Sequence, residues 1–253
     1  MPAMTNNRVV LVTGSAKRIG ACIAEIFHAQ GFKVIVHANR SLLEAGKLVE
    51  RLNTARPDSS KIVSSNLNES AEVETLAEKA PQCFGRLDVL VNNASTFFPT
   101  PLEESTQSQW DDLFNSNVRA AYFLSQKLTS ELKKTRGTII NIVDTHADKP
   151  LLNHSIYNMA KAALKTMTKS LAKDLGPEIR VNGVSPGAIL WSGTLERDDD
   201  PGVEQGRLKL LESIPLKRLG KPEDIAHMVY FLATTASYTS GQVIKVDGGR
   251  SLI

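Results

Sequence analysis

Cysteine is scarce in this chain. Cys22 and Cys83 are the two present, and neither belongs to a Cys-x-x-Cys pair or to a run with metal-ligand spacing. That excludes a disulfide-stapled scaffold and leaves no metal signature, so a reduced, cytosolic protein without a metal is expected. Aromatic residues make up only 6% of the sequence, and its 30 basic residues are spread among 27 acidic ones without forming a block. The net charge of +3 therefore has no focus, and a nucleic-acid surface, which needs clustered cations, is not expected. No apolar run approaches the ~20 residues that cross a bilayer. The opening MPAMTNN holds no apolar signal core, so the expected location is the cytoplasm. Internal repeats and low-complexity tracts are missing as well, and the acidic run Asp198-Asp199-Asp200 reads as a solvated loop.

What is present is ordinary globular material, with 42% hydrophobic and 23% charged residues. No break in composition divides the 253 residues, so one domain over 1–253 with a large core is expected. Short apolar, β-branched runs read as strands over 9–13, 33–37, 61–65, 87–92, 138–143, 180–185 and 243–246. Between them, amphipathic stretches read as helices over 19–30, 41–54, 70–84, 108–132, 155–175 and 222–232, with Ser41 as a candidate cap. Alternating strands and helices, with the strands apolar throughout, imply an α/β fold: a doubly wound parallel sheet flanked by helices. Such sheets bind ligands at the carboxyl ends of their strands.

Reactive side chains concentrate over 144–161. If a helix begins near Ser155, Tyr157 and Lys161 stand one turn apart, roughly 6 Å along the axis, and share a face. A phenol titrates near ~10, and a neighbouring ammonium favours the phenolate, so a lowered pKa and proton exchange at neutral pH are expected of Tyr157. Asp144 ends the strand over 138–143 and could meet the tyrosine there. A surface lysine and a half-buried tyrosine on an ordinary helix would show the same spacing.

At the first strand–helix junction, Thr13-Gly14-Ser15-Ala16-Lys17-Arg18-Ile19-Gly20 offers glycines for a tight turn and for a pyrophosphate at a helix amino terminus. Plain turn chemistry would use the same glycines. A dinucleotide fold that takes NAD carries an acid about 20 residues further on. Here the second strand runs into His37-Ala38-Asn39-Arg40-Ser41, which has none. Arg40, Ser41 and His37 could hold a 2′-phosphate, with charge added by Lys17 and Arg18, which argues for NADPH over NADH. The alternative is an exposed basic loop. Asn92 and Asn93 end the fourth strand, where they could equally satisfy turn backbone. Asn117 falls inside a predicted helix, where an amide is unfavourable unless it bonds something; it could kink the helix and hold a water beside Lys161.

Taken together, Thr13-Gly14 with Gly20, Asn92-Asn93-Ala94, Asn117, Tyr157 with Lys161, and Arg180-Val181-Asn182-Gly183-Val184-Ser185-Pro186-Gly187 resemble the short-chain dehydrogenase/reductase family, in order and spacing, over nearly the whole chain. The resemblance implies a single Rossmann-type domain with about seven parallel strands. It implies Tyr157 as proton donor, Lys161 as the group that lowers its pKa and binds the nicotinamide ribose, and Asn117 as the holder of a relay water. Implied cofactor contacts are Gly14, Lys17, Arg18, Ile19, Gly20, His37, Asn39, Arg40, Ser41, Asn66, Leu67, Asn93, Ala94, Ser95, Tyr157, Lys161, Pro186 and Gly187. Residues 241–249 look like the family's closing strand, which often packs in homotetramers.

Two departures narrow the resemblance. Arg18 stands where family members usually carry a third glycine, and Asp144 where they carry a serine. A serine hydroxyl donates to a substrate carbonyl, whereas an ionised aspartate only accepts. Asp144 must then be protonated, or meet a substrate with N–H donors, as a pterin ring offers. The same substitutions are similar to those of pteridine reductases, as are residues 92–102, including Phe97, and the Lys149-Pro150-Leu151-Leu152 run. By that resemblance Phe97 stacks on a pterin, Ser95 bonds cofactor or substrate, and Asp144, Tyr157 and Trp191 complete the substrate site, with residues 188–215 as a substrate-binding loop. From the residues alone, Phe97 and Phe98 could simply plug a hydrophobic loop. The expected activity is NADPH-dependent reduction of a C=N bond in a dihydropterin, with Tyr157, or Asp144 through water, protonating nitrogen, and with dihydrofolate a further candidate substrate. The alternatives are a 3-oxoacyl thioester reductase and a non-catalytic NADPH-binding protein.

Overall fold

The computed structural model describes residues 7–189 and 201–252. Seven strands form one parallel sheet in the order β3-β2-β1-β4-β5-β6-β7: β1 (Val9–Val12), β2 (Lys33–Ala38), β3 (Ser60–Ser64), β4 (Val89–Asn92), β5 (Thr138–Ile142), β6 (Arg180–Pro186) and β7 (Val243–Val246). The central strands are apolar at consecutive positions because both faces are covered, and every residue of β1 is buried. Side chains alternate across the pleat. Val10 and Val12 therefore pack with Ile23 and Phe27 of α1 (Arg18–Ala29) and Val229 of α8 (Pro222–Thr234), whereas Val9 and Leu11 pack on the opposite layer with Leu76 of α3 (Ser70–Gln82) and Leu128 of α5 (Ala120–Thr135). Phe27, Phe32 and Tyr230 meet edge to face with centroids 5.0–6.4 Å apart, which fixes α1 against α8. Burying a side chain such as Phe27 contributes on the order of 2–3 kcal/mol.

The strand order turns around between β1 and β4, so a crevice opens where their following loops diverge. Thr13-Gly14, Asn93 and Asp144 all lie just past strand carboxyl ends. Most predicted elements are present with ends moved by one or two residues; Ser41 occupies the N-cap of α2 (Leu42–Ala55), although its side chain makes no capping bond. Two expectations need correcting. The single helix expected over 108–132 is divided into α4 (Gln107–Phe114), a π-helical turn at Asn115–Arg119 and α5. Asn117 causes this locally: its Nδ2 donates to Leu113 O at 2.9 Å and competes with the main-chain ladder. The stretch expected to be a variable loop contains α7 (Pro201–Glu212), whose Gly202 and Gly206 had weakened its helical signal. Trp191 and the acidic run at 198–200 lie outside the described residues.

Candidate active site

The β1–β2 side of the crevice is shaped by backbone. Gly14 has φ +61, and a Cβ there would stand 2.8 Å from Ala94 Cα. A Cβ on Gly20 would meet Asn93 Nδ2 and Gly14 O, each at 2.5 Å, so the first turn of α1 lies directly on the loop. Asn93 clamps that loop by donating to Thr13 O at 2.8 Å and Gly14 O at 3.1 Å. Arg18 adopts φ +52, a left-handed conformation that favours glycine and costs a non-glycine residue about 1–2 kcal/mol.

The resulting cavity has a volume of about 400 Å³. It is lined by Gly14, Lys17, Arg18, Ile19, Gly20, His37, Asn39, Arg40, Ser41, Asn66, Leu67, Asn93, Ala94 and Ser95, all of them anticipated, together with Asn68, Thr96 and Ser116. The last three give little signal in sequence. Asn68 enters because its N–H bonds Asn66 Oδ1, and Ser116 because the π turn carries it toward Thr96, 2.6 Å away between hydroxyls. Tyr157, Lys161, Pro186 and Gly187 do not line this cavity. Gly187 instead donates to Val246 O and joins β6 to β7.

Charge in this cavity is distributed differently from expectation. Lys17 pairs with Glu44 at 2.6 Å, while Arg40 is exposed at the rim. His37 is only 2% exposed; Nδ1 accepts from Gly14 N at 2.9 Å and Nε2 faces Ser65 Oγ and O at 3.0 and 3.1 Å. Burial lowers its pKa to about 4. The expectation that His37 helps hold a phosphate is therefore corrected: the ring is neutral, both nitrogens are engaged, and it anchors the glycine loop to β2 and the end of β3.

The opposite side of the crevice is built from side chains. α6 (Ser155–Leu175) carries Tyr157 and Lys161 on one face, with 4% and 2% of their surfaces exposed. Tyr157 OH donates to Asp144 Oδ2 at 2.7 Å, and Asp144 Oδ1 accepts from His146 N at 2.9 Å. Lys161 Nζ donates to Ile142 O at 3.0 Å and stands 5.6 Å from the centroid of the Tyr157 ring. Burial, and after it the Asp144 charge, raises the Tyr157 pKa well above its usual value, with a hydroxyl contact from Ser95 acting weakly the other way. Burial also lowers Lys161 to about 8, although Asp144 opposes this. The expected acidification of Tyr157 by its lysine is thus opposed: desolvation, and after it a carboxylate at hydrogen-bond distance, act against an ammonium that lies over the ring.

Asn117 is buried, and its amide is committed. Oδ1 accepts from Ser95 Oγ at 2.6 Å, and Nδ2 donates to Thr96 O as well as to Leu113 O. The amide thereby holds the loop after β4. Asn92 is part of a buried ladder that sequence reasoning missed, bonding Asn141 Oδ1 at 2.9 Å, while Asn141 donates to Thr168 Oγ1 at 2.9 Å. The two phenylalanines divide the readings offered for them. Phe98 packs beside Leu113, Ile156 and Tyr157 as a plug. Phe97 is 49% exposed, lies edge-on to Tyr157 with centroids 4.8 Å apart, and is stacked on His154 at 4.7 Å.

A doubly wound parallel sheet whose glycine-turned crevice faces a buried tyrosine–lysine pair on one helix defines an oxidoreductase of the short-chain type. The family model described as enoyl-(acyl carrier protein) reductase matches residues 14–251. Pteridine reductase 1 of Leishmania tarentolae is 38% identical over 96% of this chain and 96% of its own length. A 3-oxoacyl-acyl-carrier-protein reductase of Staphylococcus epidermidis is 34% identical over 96% of this chain and 98% of its own, and a short-chain type dehydrogenase/reductase of Picea abies is 31% identical over 96% and 92%. The chain belongs to the short-chain dehydrogenase/reductase family.

Proposed function

We propose that the protein is an NADPH-dependent reductase of a C=N bond in a dihydropterin ring. One observation carries this reading: Asp144, at the end of β5, accepts hydrogen bonds on both carboxylate oxygens, one of them from Tyr157 itself. A group that accepts at this position suits the amino and ring N–H donors of a pterin and does not suit a substrate carbonyl. The 38% identity to a pteridine reductase and the exposed Phe97 face beside Tyr157 support it.

The residues present fit a dinucleotide, because glycine backbone at Gly14 and Gly20 leaves room beside the amino terminus of α1. Arg40 and Ser41 would hold a 2′-phosphate, with Arg18 adding charge from the first loop. When bound, NADPH supplies the hydride. The Tyr157 hydroxyl then gives its proton to the ring nitrogen, and the phenolate left behind is stabilised by the Lys161 ammonium. As substrate N–H groups take over Asp144, the carboxylate that raises the phenol pKa is drawn away from it, so substrate binding itself prepares the acid. Phe97 offers a flat face to the ring. The subunits assemble as a homotetramer in the cytoplasm.

A second reading, reduction of a 3-oxoacyl thioester, is favoured by the 34% identical relative. Oxidation of NADPH measured in parallel with dihydrobiopterin, dihydrofolate and an acetoacetyl thioester separates the two. Turnover of a dihydropterin, abolished in Asp144→Ser with NADPH affinity retained, is the expected result. Turnover of the thioester alone would sink the pterin reading.

A further inference from the structure

One cation of the cofactor crevice takes no part in the reaction proposed above. Lys17 lines the cavity together with Arg18, Arg40 and Ser41, and among the described residues that line it there is no aspartate or glutamate. Yet Lys17 Nζ stands 2.6 Å from Oε1 of Glu44, a residue that does not line the cavity itself. The pair spans two elements. Lys17 is the N-cap of α1, where its side chain makes no capping bond, and Glu44 lies in the first turn of α2, three residues after the N-cap Ser41. Residues at that spacing are neighbours at a helix amino terminus. The acid therefore stands beside the Arg40-Ser41 corner at which a 2′-phosphate would be held.

A structural tie is the plainer role for such a pair, and other bonds already supply it. Ser15 N donates to His37 O at 2.9 Å, Gly14 N to His37 Nδ1 at 2.9 Å, and His37 N to Ser15 Oγ at 3.2 Å, so the glycine loop is fastened to the end of β2 without Lys17. Both partners are partly in solvent, with 52% of the Lys17 side chain and 40% of the Glu44 side chain exposed. An exposed ion pair adds little stability, and its members exchange readily for other partners. The hydrogen bond from Lys17, and after it the main-chain N–H of Glu44 itself, holds the carboxyl below its usual range, so Glu44 is an anion at neutral pH. An ammonium bonded to that anion meets a phosphate with its charge already compensated.

Resting on the NADPH reading, we propose that Glu44 is a specificity-determining residue: it occupies Lys17 as a counter-ion, the 2′-phosphate must compete with it for that ammonium, and the preference for NADPH over NADH is thereby held down. A cofactor without the 2′-phosphate meets no such competition. The oxidised cofactor carries the same phosphate, so the same competition eases its release after hydride transfer.

The test is a fluorescence titration of the full-length protein with NADPH and with NADH, which needs neither a pterin nor turnover. Glu44→Gln should tighten NADPH about tenfold, the scale of one charge-assisted hydrogen bond gained when Lys17 is released to the phosphate. NADH affinity should stay within about twofold of wild type, since long-range charge effects at the rim are screened. Combined with Lys17→Met, Glu44→Gln should change NADPH affinity by no more than about twofold, because the ammonium it would release is gone. Weaker NADPH binding in Glu44→Gln, equal tightening of both cofactors, or an undiminished gain in the Lys17→Met background would overturn the proposal. Equal affinity for the two cofactors in wild type and Glu44→Gln alike would sink the NADPH reading, whereas a wild-type preference that Glu44→Gln leaves unchanged would sink this proposal alone.

Discussion

The two sides of the crevice solve their problems with different materials. On the β1–β2 side the shape comes from main chain: Gly14 in a left-handed conformation, Gly20 against Asn93, and a neutral His37 tying the loop down. Its charged groups, Lys17 and Arg40, sit at the rim in solvent. On the β5–α6 side the shape comes from side chains: Lys161 is drawn out of water, and the buried Tyr157 hydroxyl meets the Asp144 carboxylate. Exposed charges are screened and their contributions are small, whereas buried ones interact strongly and shift each other's protonation. The backbone side is thus suited to holding a large ligand, and the side-chain side to moving a proton.

That contrast can be broken most decisively at Tyr157. Tyr157→Phe should lower kcat by at least about 100-fold, the range for loss of a positioned general acid, while NADPH affinity measured by fluorescence titration stays near wild type. A variant that keeps near-normal turnover would move the proton donor elsewhere. A smaller effect is expected at the rim. Arg40→Gln should weaken NADPH about tenfold and leave NADH little changed, since only the 2′-phosphate contact is lost. Equal losses for both cofactors would mean that Arg40 shapes the loop instead.

The smallest effect concerns stability of the ligand-free protein and its pH dependence. Lys161 has a pKa of about 8 when folded against 10.5 as a free side chain, so above pH 8 the unfolded chain binds more protons than the folded one. Stability from this group therefore rises with pH from about 8. Tyr157 and Cys22, both raised by burial, act in the opposite direction at higher pH: the Cys22 thiol, at about 12 against 9.0, begins to do so from pH 9. The clean window is pH 8 to 9. There the wild-type stability, relative to Lys161→Met in chemical denaturation, should gain on the order of 1 kcal/mol. A flat difference would show that Lys161 keeps its proton when folded.

Much of the fold was legible because its signals are local. Apolar β-branched runs such as Val9–Val12 can be read without knowing their neighbours, and so can the glycine turn and the Tyr157–Lys161 spacing on a helix. Arg18 is a case in which the resemblance and the coordinates agree for a physical reason: the position expected to be glycine has a positive φ. The helix interruption at Asn115–Arg119 was only half visible, since an amide inside a helix signals conflict without naming its partner. His37, read as a phosphate ligand, shows the limit more clearly. Its role follows from Gly14 and Ser65, 23 and 28 residues away along the chain.

By itself, then, the sequence determined the sheet, the crevice at its switch point and the family, because periodicity, turn residues and one-turn spacing are properties of short segments. Only the tertiary structure decided which protonation states that crevice enforces. Tyr157 is held by an aspartate thirteen positions earlier, and Lys161 is enclosed by elements from across the chain. Burial and charge proximity are sums over neighbours in space, and a linear sequence does not order residues by those distances.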